Sequence, residues 1–563
     1  MAPFRTKTYL SLAVALAIAA TTLALVRIAH AEDQVLLRAR EGAAAMIRGQ
    51  FERAVSLYDE ALATPDVSKF VQASIYSDRG VAKWRMKQTK DAIEDFNQSI
   101  QLSPESASVY NNRGNALMDL GHPEEAIKDF DRAVALQPAY GAAYNNRGNA
   151  YAALHQYDAA FQSFRKAATL LPQSSVPFNG RGRSHTELAR YHAAVRDLTR
   201  AIGLDPKHAA AHRNRAEANF ALENYGEAAE DATQALDLEP GKQQPNLLLL
   251  RAKAYARENK FREAIADFDA ALELNADLIE AYVERGLLFA NNKRYDDAIG
   301  DYNRAIQMDP KNAQAYALRA EAKLKLELAD EALSDANQAL LLSLGDPLAL
   351  RIRGNIYETQ ERVGDAIYDY QKALAKDPFQ IESREALVRL DQEVPADTNQ
   401  PLGPPVDGWI VTEPSPGRYI ASNPDFRSLR AELEMFGTGK PKILEWNLLS
   451  GARRGVGLLK YYAGSLGEDG KLEYVAIVNT RADKVVSIEP ERWGSKPATW
   501  TWQAVSVVVT DPDGHANEVA FAKARPVARS RDDGGFGQAT RQERRRERRG
   551  GGGSPGMLDW LFR

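Results

Sequence analysis

Between residues 35 and 380 apolar and small residues return with the period of helices, and beyond residue 437 they alternate with polar ones as in strands. In the first stretch a basic residue followed by a small one recurs. Arg79-Gly80, Arg113-Gly114, Arg147-Gly148, Arg181-Gly182 and Arg215-Ala216 are 34 residues apart. Arg251-Ala252 follows after 36, and Arg285-Gly286, Arg319-Ala320 and Arg353-Gly354 return to 34. Twelve residues after each small residue stands an alanine, from Ala92, Ala126, Ala160, Ala194 and Ala228 through Ala264, Ala298, Ala332 and Ala366. Seven further on is another small residue, from Ser99 and Ala133 to Ala373. Seven residues are close to two helical turns, so the two share a face. Prolines close seven units, at Pro104, Pro138, Pro172, Pro206, Pro240, Pro310 and Pro378, and Ala276 and Leu344 hold that place in the others. Each unit predicts two amphipathic helices that approach closely at the Gly/Ala pair and end at proline.

This pattern resembles the tetratricopeptide repeat family over about residues 35–380, most clearly at Tyr110-Asn111-Asn112-Arg113-Gly114-Asn115-Ala116 and at Tyr144-Asn145-Asn146-Arg147-Gly148-Asn149-Ala150. A degenerate earlier unit uses Gly42, Ala54, Tyr58 and Ala61, which makes ten, and Ser383–Gln392 supplies a capping helix with Arg384, Glu385, Arg389 and Asp391 outward. The resemblance implies a mainly α fold, a right-handed α-solenoid of about ten helix pairs spanning residues 35–393. The chain departs from the family at the residue before the small one. A large apolar residue is common there; here it is Arg in all nine full units. Eight of the nine also carry Asp three residues after the first alanine, from Asp95 and Asp129 to Asp369, with Ser163 the exception. A residue that recurs in every unit points to packing rather than recognition, so an Arg–Asp ion pair is expected between the two helices or between neighbouring units.

Stacked helix pairs form a superhelix with a concave face lined by the first helix of each unit. In this family the residues flanking the Arg-Gly place project into that groove. Here they read Asn111, Asn112 and Asn115; Asn145, Asn146 and Asn149; Asn179 and Arg183; then Arg213, Asn214 and Glu217. This is similar to the asparagine ladder in the repeat region of O-linked N-acetylglucosamine transferases, whose amides grip the backbone of an extended peptide. An amide offers a donor and an acceptor together, which matches a peptide unit. The alternative is that these amides solvate the groove or bond within their helices. Later units are more apolar and mixed, with Leu249, Leu250 and Lys253, then Val283, Glu284 and Leu287, then Leu318 and Glu321, then Arg351, Ile352 and Asn355. The transferase chemistry itself is not implied.

Residues 394–406 read as a linker, rich in Pro, Asn and Gly. A small antiparallel β or α+β domain is expected over 407–527. Phe426, Leu429, Leu433 and Phe436 give Asp425–Phe436 helical spacing. Strands are expected at Ile443–Leu449, Val456–Ala463, Leu472–Asn479, Lys484–Ile488, Trp500–Thr510 and Glu518–Ala522. Trp446, Tyr461, Trp493, Trp500 and Trp502 are its candidate core. No catalytic constellation emerges. Gly437-Thr438-Gly439-Lys440 is no phosphate loop: Glu434 stands where the first glycine belongs, and Pro441 replaces the hydroxyl residue. Gly464-Ser465-Leu466-Gly467 is one residue short of a nucleophile elbow. His515 reads as a solvated turn residue, and Asp511 and Asp513 as parts of an Asp-Pro-Asp-Gly turn. Trp500 and Trp502 share a strand face, which suits core packing better than a sugar platform.

At the N-terminus Arg5 and Lys7 precede an uncharged run, Tyr9–Val26, and Ala29-His30-Ala31 has the small-x-small form of a cleavage site. Residues 1–31 therefore read as a cleaved export signal and the protein as periplasmic. The rival is an uncleaved inner-membrane anchor, since 18 residues are at the lower edge of a span. The 563-residue chain has no cysteine, which excludes disulfides, thiol nucleophiles and Cys-ligated metal. Its net charge of −4 gives no chain-wide basic footprint, so nucleic acid is not an expected partner. The segment 528–563 is expected to be disordered. Its Arg541–Arg549 run holds six Arg against two Glu and precedes a glycine spacer and an apolar tip, Met557–Phe562, so peripheral membrane contact is one use for it. Together these features predict a scaffold without enzymatic activity, cofactor or metal, which binds an extended peptide or partner protein in the cell envelope. An envelope protein whose β domain binds or hydrolyses polysaccharide is the alternative.

Overall fold

In the computed structural model the described residues are 33–520, apart from 65–66, 378–379, 395–401, 403–404, 416–417, 424–425, 437–438, 450–455, 467–469, 480–483, 494–495 and 504–505. The expected export signal, most of the expected linker and the Arg-rich tail lie outside them. Twenty-one helices run from α1 (33–47) and α2 (Phe51–Leu62) to α21 (Ile381–Arg389). From α3 (Lys69–Arg85) and α4 (Thr89–Leu102) onward, odd helices are the first and even helices the second of each pair, as in α5 (Ala107–Asp119) with α6 (Pro123–Leu136). The expected solenoid is present, and the capping helix Ser383–Gln392 is observed as α21.

Each pair closes on the small residue. A Cβ on Gly114 would lie 2.6 Å from the Phe130 ring, and one on Gly148 2.6 Å from that of Phe164. Where the facing residue is itself small, as with Ala232 and Ala336, the small position is Ala216 or Ala320. The first helices stop at a residue with positive φ, among them Lys87, Gly121, His155, Ala189 and Glu223, which turns the chain into the second helix.

The recurrent arginines are rivets. The Arg285 guanidinium donates through Nε and Nη2 to both oxygens of Asp301 at 2.9 and 2.7 Å, and through Nη1 to Asp269 of the preceding unit. Arg113 binds Asp129 and Asn97 in the same way, Arg319 binds Asp335 and Asn303, and Arg353 binds Asp369 and Asn337. The fork of a guanidinium is what makes three contacts from one side chain. The expected ion pair thus links both the two helices of a unit and neighbouring units. Arg147 meets the exception, Ser163, and keeps its preceding-unit partner Asp131 at 2.8 Å.

The C-terminal domain is antiparallel β throughout its described residues. Three sheets have the orders β1-β2-β3, β4-β5-β6-β7-β8 and β11-β10-β9. They run from β1 (Ile410–Ser415), β2 (Arg418–Asn423) and β3 (Phe426–Glu432) through β4 (Lys442–Leu448), β5 (Val456–Leu466), β6 (Gly470–Asn479) and β7 (Lys484–Trp493). The short β8 (Lys496–Pro497), β9 (Thr499–Trp502), β10 (Ser506–Thr510) and β11 (Ala516–Ala520) complete them. The expected helix over 425–436 is not formed. Residues 426–432 pair with β2, Ala421 opposite Ala431 and Ile420 opposite Glu432, and residues 430–433 alternate exposed and buried. Apolar residues three and four apart satisfied a helical template, but the neighbouring strand supplies the backbone partners. The expected single strand Trp500–Thr510 is two strands of a hairpin, with Val507 opposite Trp502. The core gathers on Trp409, fully buried beside Trp446 with ring centres 4.9 Å apart, and on Tyr461, Tyr474 and Ile488. Trp500 packs at the edge of a second cluster with Val507 and Val509.

Candidate partner-binding groove

The first helices carry the sequence-predicted groove residues side by side. Asn111 and Asn112 on α5 and Asn145 on α7 (Gly141–Ala153) are buried; Asn115, Asn146 and Asn149 are half-buried. Amides of successive units meet. Asn146 Nδ2 donates to Asn111 Oδ1 at 2.9 Å, and Asn214 Nδ2 on α11 (Ala209–Ala221) donates to Asn179 Oδ1 on α9 (Val176–Glu187) at 2.9 Å. These four amides therefore bridge neighbouring units, a use outside both readings drawn from the sequence. The ladder is interrupted at Gly180, where a Cβ would sit 2.6 Å from Phe164, so no side chain fits. Among the described residues Asn112, Asn115 and Asn149 have no hydrogen-bond partner of their own and remain open to a ligand. Arg183 is exposed beside Glu187 at 3.6 Å. Arg213 is held by Glu239 at 2.7 Å and Gln244 at 2.6 Å.

Two cavities open on these same positions. One, about 480 Å³, reaches from α1 and α3 to Asn112. The other, about 590 Å³, is lined by Arg213, Glu217, Leu249, Leu250 and Lys253 beside the two-residue insertion of the 36-residue unit. Burial raises the Glu217 carboxyl there, against the pull of Arg213. Buried Gln244 leaves its Nε2 without a partner among the described residues. Among the described residues no group of three or more His, Asp or Glu is placed to hold a metal ion, and no helix is long and apolar enough to cross a membrane. Glu445 and Glu473 lie on β4 and β6, and Glu473 pairs with Lys460 at 3.3 Å; Trp500 belongs to another sheet.

What sequence reasoning missed is that the β domain is docked on the solenoid. Glu434, just after β3, accepts from the backbone amide of His192 at 2.7 Å, at the start of α10 (Tyr191–Leu204). Arg196 one turn on donates to the Ile488 carbonyl at 2.8 Å and to Glu489 at 3.2 Å. Lys484 donates to Asn224 at 2.7 Å. Phe436 stacks on Tyr474 with ring centres 4.0 Å apart, and Arg190 lies over Phe436 and Phe161. His515, expected in solvent, packs edge-on against Phe178, because its turn faces α9. Burial, reinforced by Arg190, Arg181 and Arg196, holds the His185 imidazole well below its usual range, and burial lowers His192 to about 3. Burial pushes Glu434 up to about 7, against the α10 amides and Arg196.

Two signals marked this surface. Among the second helices of the pairs, α10 alone has no acidic residue in its first turn. Arg165 also stands where other units offer Asn, Asp or Thr to the next arginine rivet. The β domain makes up both. Glu434 supplies the carboxylate at the α10 terminus, where the helix dipole favours it. Asp511 adds its charge to the field of Arg181, whose own Asp197 bonds are 2.6 Å.

A helical-repeat protein with a polar inner groove is thus defined by geometry alone, and comparison of the sequence with known families agrees. The family model described as "Tetratricopeptide repeat" matches residues 111–175, 179–243, 249–313 and 318–381, and that described as "TPR repeat" matches 85–121. The chain belongs to the tetratricopeptide repeat family. The matches do not extend into the β domain. No curated protein matches the chain. Among solved structures, a tetratricopeptide repeat protein from Parabacteroides merdae is similar at 19% identity and TM-score 0.35, covering 50% of this chain and 98% of that one. Yeast Tom70 is similar at 16% identity and TM-score 0.29, with 64% and 95% covered. Cut9 in its hetero-tetramer with Hcn1 from the APC/C is similar at 14% identity and TM-score 0.35, with 66% and 97% covered.

Proposed function

We propose that this protein is a non-enzymatic scaffold of the bacterial cell envelope that holds an extended segment of a partner protein in the groove of its first helices. Tetratricopeptide repeats generally bind protein partners or peptides, and this chain carries the features such binding needs. The observation that carries the reading is that two cavities open on the same first-helix positions, with Asn112 on the wall of the first and Asn115 and Asn149 beyond it unbonded among the described residues. The β domain contacts α10 and, through His515 and Phe436, α9; among the described residues none of its hydrogen bonds or ring contacts falls on Asn112, Asn115 or Asn149. The envelope setting is supported by the signal-like residues 1–31.

The test is a pull-down from the source cells with the full chain and with Asn112→Ala/Asn149→Ala/Arg183→Ala. The reading expects specific proteins bound by the wild type and lost with the variant. Proteins retained equally by both would move recognition to the β domain or the tail.

A further inference from the structure

The cavity at the start of the groove contains a carboxylate that nothing neutralises. Asp78, on α3, stands at the ladder position held in the next two units by Asn112 and Asn146. Among the described residues it has no hydrogen-bond or ion-pair partner. Its neighbour Arg79 is committed to Asp95 and Asp59. Arg40, on the cavity wall, is exposed and does not pair with it. Desolvation pushes the Asp78 carboxyl up to about 7. The fully buried Tyr58 lines the same cavity, and its hydroxyl has no hydrogen-bond partner among the described residues. The remaining wall is mixed, apolar at Leu36, Met46 and Val109 and polar at Ser74, Ser77 and Ser108, and Phe70 at the rim is 76% exposed.

A half-buried carboxylate without a partner is costly to keep charged unless a cation meets it. We infer that this cavity is a subsite for a lysine or arginine flanked by an apolar residue in the extended segment bound by the groove. The cation meets Asp78, and the apolar neighbour covers Phe70. The inference rests on the groove reading and adds the chemistry that selects the segment.

The experiment selects peptides from a random twelve-residue phage library on the purified full chain, in wild type, Asp78→Asn and Phe70→Ala. The first variant keeps the shape and removes a half-buried charge, and the second changes an exposed side chain, so both are expected to fold with the wild-type circular dichroism. Wild type should enrich peptides carrying Lys or Arg beside an apolar residue. The leading synthetic peptide should bind Asp78→Asn about tenfold more weakly, and Phe70→Ala a few-fold more weakly. Enrichment of peptides without a cation, or equal binding to Asp78→Asn, would overturn the subsite while leaving the groove reading intact. No enrichment on the wild type would overturn both.

Discussion

Glu434 accepts the backbone amide of His192, 242 residues earlier in the chain, and so the C-terminal domain caps a helix of the repeat array. A helix begins with backbone N–H groups that its own turns cannot satisfy. Every other second helix among the described residues places an acid of its own near that end; α10 takes one from the β domain. Glu434→Ala should cost about 1–2 kcal/mol, as loss of an N-cap does. It should also release the β domain before the solenoid melts, seen as a separate early transition in thermal unfolding. A single unshifted transition would contradict this.

The same carboxylate gives a pH dependence. It ionises near 4.5 in the unfolded chain and near 7 when docked. Between those values the folded protein keeps a proton that the unfolded chain has lost. Its contribution to stability is therefore full below about 4.5 and falls as pH rises towards about 7. Glu434→Gln carries no such slope. Relative to wild type it should gain stability across that window, by no more than about 3 kcal/mol. Urea denaturation at several pH values measures the difference, and parallel curves would exclude the shift.

The arginine rivets predict a difference between removing one partner and removing both. The Arg285 and Asp301 side chains are 18% and 10% exposed. Asp301→Ala leaves the guanidinium with Asp269 alone and should cost about 3 kcal/mol, the lower end for a broken buried pair. Arg285→Met/Asp301→Leu, which removes both charges and keeps the volume, should cost much less. Equal losses in urea denaturation would show that the pair acts through packing only.

Gly114→Ala places a Cβ within 2.6 Å of the Phe130 ring and should destabilise by about 1–3 kcal/mol through overpacking. Gly114→Ala/Phe130→Leu should recover part of that loss, because the facing side chain shrinks. The midpoint of thermal unfolding reads both.

Repetition made the solenoid legible. Each unit solves one packing problem, so Gly or Ala, the second-helix Ala and the Arg–Asp pair recur at fixed spacing, and nine copies outweigh any local ambiguity. The groove positions followed from that register. That Asn146 would bond Asn111, and Asn214 bond Asn179, did not, because the spacing of one helix does not say how near the next lies. The β domain has no repeats, and there a period of three to four misread residues 425–436. Glu434 was noticed only as a residue unfit for a phosphate loop. Its role depends on a contact with α10 that no local pattern encodes, although the missing acid in α10 and the misplaced Arg165 were visible in the register of the repeats.

The most direct test of the central claim is photocrosslinking in the source cells, with p-benzoylphenylalanine placed singly at Asn115 and Asn149 in the groove and at exposed Glu230 on α12 (Tyr225–Leu238) as the outer control. The account predicts the same crosslinked protein at both groove positions and none at Glu230. Crosslinks from Glu230 with none from Asn115 or Asn149 would contradict it.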